Sequence, residues 1–522
     1  MSEQNSSDPA PGRKPRLLDA FTSWRTAAVA LQAFPAGLPL GLVLITVPAW
    51  LAAEQVDIRT IGFVTLAQAP WTFKFLWSPL MDRWAPPFLG RKRAWALIAQ
   101  ILLMGATVAL AAAGARPDQI GLVAAATFAV AFASATQDIA LDAYAVEVLH
   151  PEEQGVASGA RAAISRFAMT VSGRITIWAV KWFSWPALIA AQAAAYLPAA
   201  VLMVASPEPE SPPPPPVSLR RAIWDPFVGF LRQHRALEIA LFLVLYKFAD
   251  NLASSLVSPF LLQSGYSTDQ VGRDMLFISF FGNAIGAIAG GALTTILGLG
   301  HALWLFGFLQ AFSNLGYAAI AGSEPNVGLL WTAMGIETLT TGMGTGAFTA
   351  LLLRLTERRF SATQYALLSS IFALGRTIAG PLAGLLVYAL GWKIFFLFTI
   401  ASAAPGLLLL QRFVPLGSRE PRLVEESPEA RAPVTRAGLG LRAAAGGIAG
   451  FLSAAAASAT LEALRILRTN PNAAFDPGAQ IARLLYPQEA GDMLWLFGLA
   501  LFGLVIGVAA AAWSAARRGV AA

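Results

Sequence analysis

The 522-residue sequence has no cysteine and only three histidines, so its chemistry rests on other residue types. The absence of cysteine excludes disulfides, thiol catalysis and thiolate metal sites. His150, His234 and His301 fall at predicted helix ends or in loops, so a proton relay inside a membrane would have to use carboxylates. There is no metal-ligand spacing and no nucleotide motif. We therefore expect no metal, no cofactor and no enzymatic activity.

Charged residues are also scarce. They make up 13% of the chain, and 56% of it is hydrophobic, whereas a soluble domain contains about 25% charged residues. The apolar residues form continuous runs of about 20, the length with which a helix crosses ~30 Å of hydrocarbon. Barrel strands would alternate instead. The sequence thus predicts an all-α polytopic protein embedded in a lipid bilayer.

The net charge of +7 is spread over the predicted loops, without a basic cluster interleaved with aromatic residues. We therefore expect no nucleic-acid partner. Instead, the Lys and Arg residues concentrate in the amino-terminal segment, in the loop after the second helix and in two linkers. All of these lie on one face of a twelve-helix arrangement, and the positive-inside rule makes that face cytoplasmic, with both termini.

Twelve spans are predicted in two sets of six. The first set is 24–53, 59–80, 93–114, 119–147, 156–181 and 185–206, and the second is 236–264, 269–296, 300–321, 327–354, 363–390 and 392–413. The predicted divisions are a cytoplasmic segment (1–23), bundles at 24–206 and 236–413, cytoplasmic linkers at 207–235 and 414–442, and about two extra helices within 443–522. A five-proline run in the first linker predicts a stiff, extended spacer.

The two halves look like repeats. PAWLAAEQVDIRTIG (48–62) and SPFLLQSGYSTDQVG (258–272) each follow a first helix and open a second one. The connections between the fourth and fifth helices also correspond. Two pseudo-symmetric halves of six helices suggest an alternating-access carrier, with its site near the midplane between them.

Two aspartates, Asp138 and Asp142, lie in the fourth predicted span. A carboxylate at membrane depth costs about 2.5–3.5 kcal/mol on insertion scales, so a polar cavity or a partner is expected. The two differ by about 40° around a helix and about 6 Å along it, so they share a face. Either at least one carries a proton or binds substrate during transport, or one or both are permanently paired with an arginine. Glu337 is a further proton-coupling candidate, and Glu147 is expected to be a structural residue at the interface.

Other charged residues fall inside the spans. Arg161 is expected to snorkel to the cytoplasmic face, whereas Arg166 and Arg174 lie deeper and either pair with an aspartate or hold an anionic substrate. Lys74 lies about 12 Å above the loop after the second span, so it is a partner for a substrate carboxylate or for an acid. Lys247 and Asp250, three residues apart, are expected to pair.

The loop PLMDRWAPPFLGRKRAW (79–95) resembles the signature between helices 2 and 3 of the major facilitator superfamily. These charges suit a latch on the cytoplasmic side, in which Asp82 pairs with arginines and with a neighbouring helix terminus in one state of the carrier. Its residues are Asp82, Arg83, Arg91 and Arg93. Plain positive-inside anchoring is the alternative reading. The spacer WAPPFL is longer than usual. The corresponding segment of the second half, GGALTTILGLGHALW, has lost these charges, so no second latch is expected.

Several segments resemble one branch of that superfamily, the AmpG muropeptide permeases and their acetyl-coenzyme A transporter relatives. They are LPLGL (38–42), KFLWSPLMDR (74–83), SATQDIALDAY (134–144) and SATQYALLSS (361–370). The resemblance implies a monomer in the bacterial inner membrane that imports anhydromuropeptides, amphiphilic sugar-peptides, by proton symport for peptidoglycan recycling. The same fold with another cargo, acyl-coenzyme A or a siderophore, is the alternative, and a non-transporting sensor is the third.

The substrate-binding candidates combine the residue pattern with this resemblance. They are charged, amide or aromatic residues inside the spans: Lys74, Trp71, Gln137, Arg166, Arg174, Asp250 and Arg376. For the amide and aromatic members, hydrogen bonding and packing between helices is the competing explanation.

Overall fold

A computed structural model describes residues 22–54, 56, 67, 69–84, 86–114, 120–210, 214–216, 218–232, 236–421, 434–469, 476, 478 and 490–518. Every extended element in these ranges is a helix, which confirms the predicted all-α class. The chain forms two compact units, one of Met1–Ala222 with Leu237–Arg422 and one of Ile223–Ala236 with Leu423–Ala522. Both six-helix halves belong to the first unit.

The first half contains six helices, several of them interrupted. They are α1 (Trp24–Leu31, Ala33–Gly41 and Val47–Ala53, with a π turn at Leu42–Thr46), α2 (Ala69–Phe73 and Ser78–Arg83, with a 3-10 turn at Lys74–Leu76), α3 (Arg91–Ala113), α4 (Ile120–Val148), α5 (Gln154–Thr170 and Thr176–Ala179, with a π turn at Val171–Ile175) and α6 (Trp185–Ala194 and Tyr196–Ala205). Most bounds agree with the predicted spans within a few residues; the start of the predicted span 59–80 lies outside the described residues.

The second half repeats this order after one additional helix. The helices are α7 (Leu219–Arg232), α8 (Ala236–Leu245, Phe248–Ser254 and Val257–Gln263), α9 (Thr268–Leu297), α10 (Leu299–Ile320), α11 (Val327–Leu355), α12 (Ser361–Ser402) and α13 (Ala404–Phe413). Gly391 has φ +71° and kinks α12, because only glycine adopts this left-handed conformation readily. The kink separates the predicted spans 363–390 and 392–413.

The linker between the halves is not an extended spacer throughout. Residues 214–216 of the proline run are non-helical, as expected, but Leu219–Arg232 forms α7 despite an internal proline, Pro226. The polar and Pro-rich composition of 207–235 concealed the amphipathic pattern LRRAIWDPFVGFLR that follows the prolines. The sequence interpretation missed this helix.

The second unit contains helices at both positions predicted for the tail. They are α14 (Arg436–Thr469) and α15 (Ala490–Arg518). The two pack closely through glycines: a Cβ added at Gly507 would lie 2.4 Å from the carbonyl oxygen of Ala443. Small residues at such an interface let helix backbones approach closely, as they do between helices in membranes.

Nine helices within the described ranges are long and apolar enough to cross a membrane. Each half has an apolar core, around Trp50 and Leu51 in the first and around Phe260 and Phe396 in the second. Between the halves, α5 and α9 pack closely through small residues. A Cβ added at Gly159 would lie 2.2 Å from the carbonyl oxygen of Ala287, so this contact requires glycine.

Candidate functional site

Two lysines lie where transmembrane helices are interrupted. Lys74 begins the 3-10 turn that divides α2, and Lys247 precedes the middle segment of α8 with φ −99°. A break frees backbone polar groups from the helical ladder, and these are tolerated at membrane depth only against protein or a wet cavity. Both breaks therefore mark polar regions of the bundle interior.

The first charged cluster joins α2, α4 and α5. The Asp142 carboxylate accepts hydrogen bonds from Lys74 Nζ at 3.4 Å and from an Arg161 guanidinium nitrogen at 2.6 Å. Arg161 therefore does not snorkel to the surface as expected, because Asp142 faces it. Tyr365 of α12 lies close enough to interact electrostatically with Arg161. Asp142 thus contacts two cations, so these three residues together carry one positive charge in excess.

Asp138 differs from its neighbour on the same helix. It is half-buried, and no described residue forms a hydrogen bond or an ion pair with its carboxylate. Lys74, Arg161 and Asp142 are nevertheless within electrostatic range of it. Of the two carboxylates on this face of α4, Asp142 is held by cations and Asp138 bonds to no described residue.

The second cluster joins α8, α10 and α11 in the other half. Lys247 Nζ donates to the Asp250 carboxylate at 3.4 Å, so the expected pair forms. Thr341 Oγ1 donates to Asp250 at 2.7 Å and lies 3.3 Å from Glu337 Oε1. Tyr317 Oη donates to Glu337 at 3.3 Å. Glu337 is therefore held by hydroxyl groups, and Asp250 is occupied by protein partners.

The remaining substrate-binding candidates are not part of these clusters. Gln137 is fully buried, and neither of its amide atoms finds a hydrogen-bond partner among the described residues. Trp71 packs against the core of the first half. Neither Arg166 nor Arg174 pairs with Asp138 or Asp142, which removes one of the two alternatives for these arginines.

At one end of the bundle, here called the basic end, a network of ion pairs and hydrogen bonds, here called the latch, joins α2 and α3 to the second half. The fully buried Asp82 pairs with Lys92 at 2.5 Å. It also accepts hydrogen bonds from the backbone nitrogens of Ala362 at 3.2 Å and Thr363 at 2.8 Å, and from Thr363 Oγ1 at 2.6 Å. These donors form the start of α12, where the helix dipole favours a negative charge. Asp82 therefore ties the first half to the second.

The other basic residues of the latch contact different parts of the chain. Arg91 donates to Glu147 at 3.3 Å, and Glu147 accepts a hydrogen bond of 2.6 Å from Ser361 Oγ in the second half. Arg93 instead pairs with Glu208 and the carbonyl of Ser206 in the linker. No described residue bonds to the Arg83 side chain.

Two sequence interpretations of this end were incomplete. The Asp82 carboxylate pairs with Lys92, a residue outside the predicted gate set, whereas Arg91 donates only to the Asp82 backbone carbonyl, at 3.0 Å. The predicted contact of Asp82 with a neighbouring helix terminus is present at the start of α12. Glu147 was expected to be structural at the interface, yet it joins the latch because α12 begins beside it. Ser361 and Thr363 were also missed as latch residues.

A second contact between the halves is equivalent to the one between Glu147 and Ser361. Arg354 Nε donates to Gln154 Oε1 at 2.7 Å, and its guanidinium lies 3.7 Å from Glu420. Arg354 lies 207 positions after Glu147, and Ser361 lies 207 positions after Gln154. The two contacts therefore use equivalent positions of the two halves. No second latch was expected, because the loop after α9 lacks the charges of the first. The contact instead uses Gln154, Arg354 and Glu420, which lie outside that loop.

Comparisons with known proteins agree with this arrangement. Residues 29–364 match the family model described as Major Facilitator Superfamily. The chain is 41% identical over 399 residues to the anhydromuropeptide permease of Escherichia coli (strain K12), covering 76% of this chain and 81% of the permease. The chain belongs to the major facilitator superfamily.

Other relatives of this major facilitator protein support the same assignment. It is 26% identical to the putative transporter AmpG 4 of Rickettsia felis, covering 75% of this chain and 96% of that one. A solved structure of the proton:xylose symporter XylE matches with TM-score 0.57 and 12% identity, over 77% of this chain and 97% of the symporter, which shows the fold alone. The predicted superfamily and the resemblance to the AmpG branch are confirmed. The chain is a multi-pass protein of the bacterial inner membrane.

The latch of this major facilitator protein can be tested by cysteine labelling, since the native chain is free of cysteine. Ala366 is 1% exposed and packs near Met81 beneath the latch. In an Ala366→Cys background, Asp82→Asn should raise the maleimide labelling rate at least about tenfold, because hydrogen bonds to a charged group are worth about 1.5–3 kcal/mol each. Arg83→Gln, at the neighbouring position, is the control and should label at the parent rate. Equal rates for Asp82→Asn and the parent would show that the latch does not hold this end closed.

Proposed function

We propose that this chain imports peptidoglycan fragments of the anhydromuropeptide type by alternating access and proton symport. The cargo is supported by the 41% identity to the anhydromuropeptide permease of Escherichia coli. The mechanism is supported mainly by one observation: the Asp138 carboxylate bonds to no described residue and lies beside Lys74, Asp142 and Arg161, which together carry one positive charge in excess. We propose Asp138 as the carboxylate that carries the proton.

The placement of basic residues supports an orientation of the chain in the membrane. The basic end carries Arg91, Lys92 and Arg93, so the positive-inside rule supports a cytoplasmic location for it, with both termini on that side. The latch holds this end closed. The conformation is then one in which the substrate path is shut towards the cytoplasm, the state that would receive cargo from the periplasm.

In the proposed cycle, protonation of Asp138 removes a charge from the interior of the bundle. Ionised Asp138 offsets the excess positive charge of Lys74, Arg161 and Asp142, and its protonation leaves that charge available to an anionic substrate. A neutral Asp138 thus favours the substrate-loaded carrier, in which the outer side closes and the latch at the basic end breaks. Release of the proton to the cytoplasm restores the charge and resets the carrier. Glu337, held by hydroxyl groups, is the second candidate for this role.

Uptake by proteoliposomes tests this proposal. With the exterior at pH 6 and the interior at pH 7.5, labelled anhydromuropeptide should accumulate, and a protonophore should abolish the accumulation. A thermal-shift panel containing an anhydromuropeptide, an acyl-coenzyme A and a ferric siderophore would separate the cargoes, with stabilisation expected for the first alone. Folded protein without gradient-dependent uptake, or stabilisation by another cargo alone, would contradict the proposal.

A further inference from the structure

Three arginines in the interior spans lack an acidic partner. They are Arg166 and Arg174 on α5 and Arg376 on α12, and none forms an ion pair with a described residue. Arginines at membrane depth are costly and are normally paired or face a wet cavity. Arg161, on the same helix as two of them, is paired with Asp142. The unpaired arginines therefore require another explanation.

Arg166 and Arg174 line one cavity of about 140 Å³ between α1, α5 and α9. Ile45, Phe280 and Asn283 contribute to its walls. The arginines are eight residues apart, so their positions differ by about 12 Å along the helix. A ligand in this cavity therefore meets two cations and an apolar surface.

Arg166 also faces the other half of the protein. It is close enough to interact electrostatically with Arg376, Asp250 and Glu337. The two acids are already engaged, Asp250 by Lys247 and Thr341 and Glu337 by Tyr317. Two arginines from opposite halves thus repel each other across the gap between the halves.

The geometry points to a carboxylate subsite on α5, in which Arg166 and Arg174 bind carboxylates of the peptide part of the substrate. This inference rests on the proposed function and specifies which part of the cargo is recognised there. A guanidinium presents a planar fork that matches a carboxylate. A carboxylate bound at Arg166 also offsets its repulsion with Arg376, so that binding draws the halves together at this level. The preferred substrate is therefore a fragment that bears a peptide with free carboxylates.

The test compares two forms of one labelled anhydromuropeptide, with its peptide carboxylates either free or converted to carboxamides. Arg166→Gln and Arg174→Gln should each raise KM for the free-acid form about tenfold, the loss expected for one charge-assisted hydrogen bond. Neither should change KM for the amidated form, and kcat should stay within about twofold. Lys181→Gln, an exposed cation just beyond the same helix, is the matched control and should leave both forms unchanged.

Arg166→Lys keeps the positive charge but lacks the planar guanidinium, so it should give an intermediate KM for the free-acid form. This variant replaces Arg166→Gln in the test if Arg166→Gln fails to fold. A change that is equal for the two forms, or no change in either, overturns the subsite. If wild-type protein transports neither form, the proposed function is wrong and the subsite falls with it.

Discussion

Asp138→Asn is expected to abolish substrate accumulation against a gradient while leaving substrate exchange at equal concentrations intact. An amide is an isosteric stand-in for the protonated acid, so the variant can move through the loaded states of the carrier but cannot take up or release the proton. Because no described residue bonds to the Asp138 carboxylate, its replacement breaks no hydrogen bond or ion pair with them, and Asp142 still pairs with Lys74 and Arg161. The temperature of unfolding should therefore stay within a few degrees of the wild-type value.

Accumulation and counterflow in the same proteoliposome preparation are the measurements that check this expectation. Glu337→Gln is the matched variant in the second half. If Glu337→Gln loses accumulation and Asp138→Asn accumulates normally, the proton carrier is Glu337 and the assignment to α4 is wrong.

Asp142→Asn, in contrast, should mainly lower the stability of the folded protein. Its carboxylate balances Lys74 and Arg161, and the side chains of these three residues are only 10–16% exposed. Removal of one partner from a buried ionic cluster typically costs about 3–5 kcal/mol, because the remaining charges are left uncompensated. We expect a clear fall in unfolding temperature and in the yield of folded protein.

The double variant Lys74→Met with Asp142→Asn provides the control, since it removes one of the two stranded cations. It should recover part of the lost stability, and the difference from additivity measures the coupling between the two residues. An Asp142→Asn variant as stable as wild type would show that the Lys74–Asp142–Arg161 cluster does not stabilise the fold.

The sequence could predict which residues carry charge inside the spans, but not which of them meet. Lys74 and Asp142 were recognisable as charges at membrane depth. That Arg161 would reach Asp142, while Arg166 and Arg174 would not, depends on the rotation of α5 relative to α4. This rotation is set by the turn at 149–153, whose conformation has no simple signature in the pattern of hydrophobic residues.

The contacts of the latch were likewise not fully predictable from the sequence. Residues 91–93 are three consecutive cations, each turned about 100° from the next in a helix, so only one can face Asp82 directly. Their orientation depends on the preceding loop, in which Leu89 and Gly90 have φ of 57° and 70°. Leucine rarely adopts such values, so the loop path that selects Lys92 was not predictable from local propensity.

Substrate-induced proton movement is the most direct test of the central claim that Asp138 couples transport to a proton. Proteoliposomes containing a trapped pH-sensitive dye, with equal pH on both sides, would receive anhydromuropeptide from outside. Wild-type protein should acidify the interior as substrate enters, and Asp138→Asn should not. Entry of labelled substrate into wild-type vesicles without acidification, or undiminished acidification with Asp138→Asn, would contradict the account.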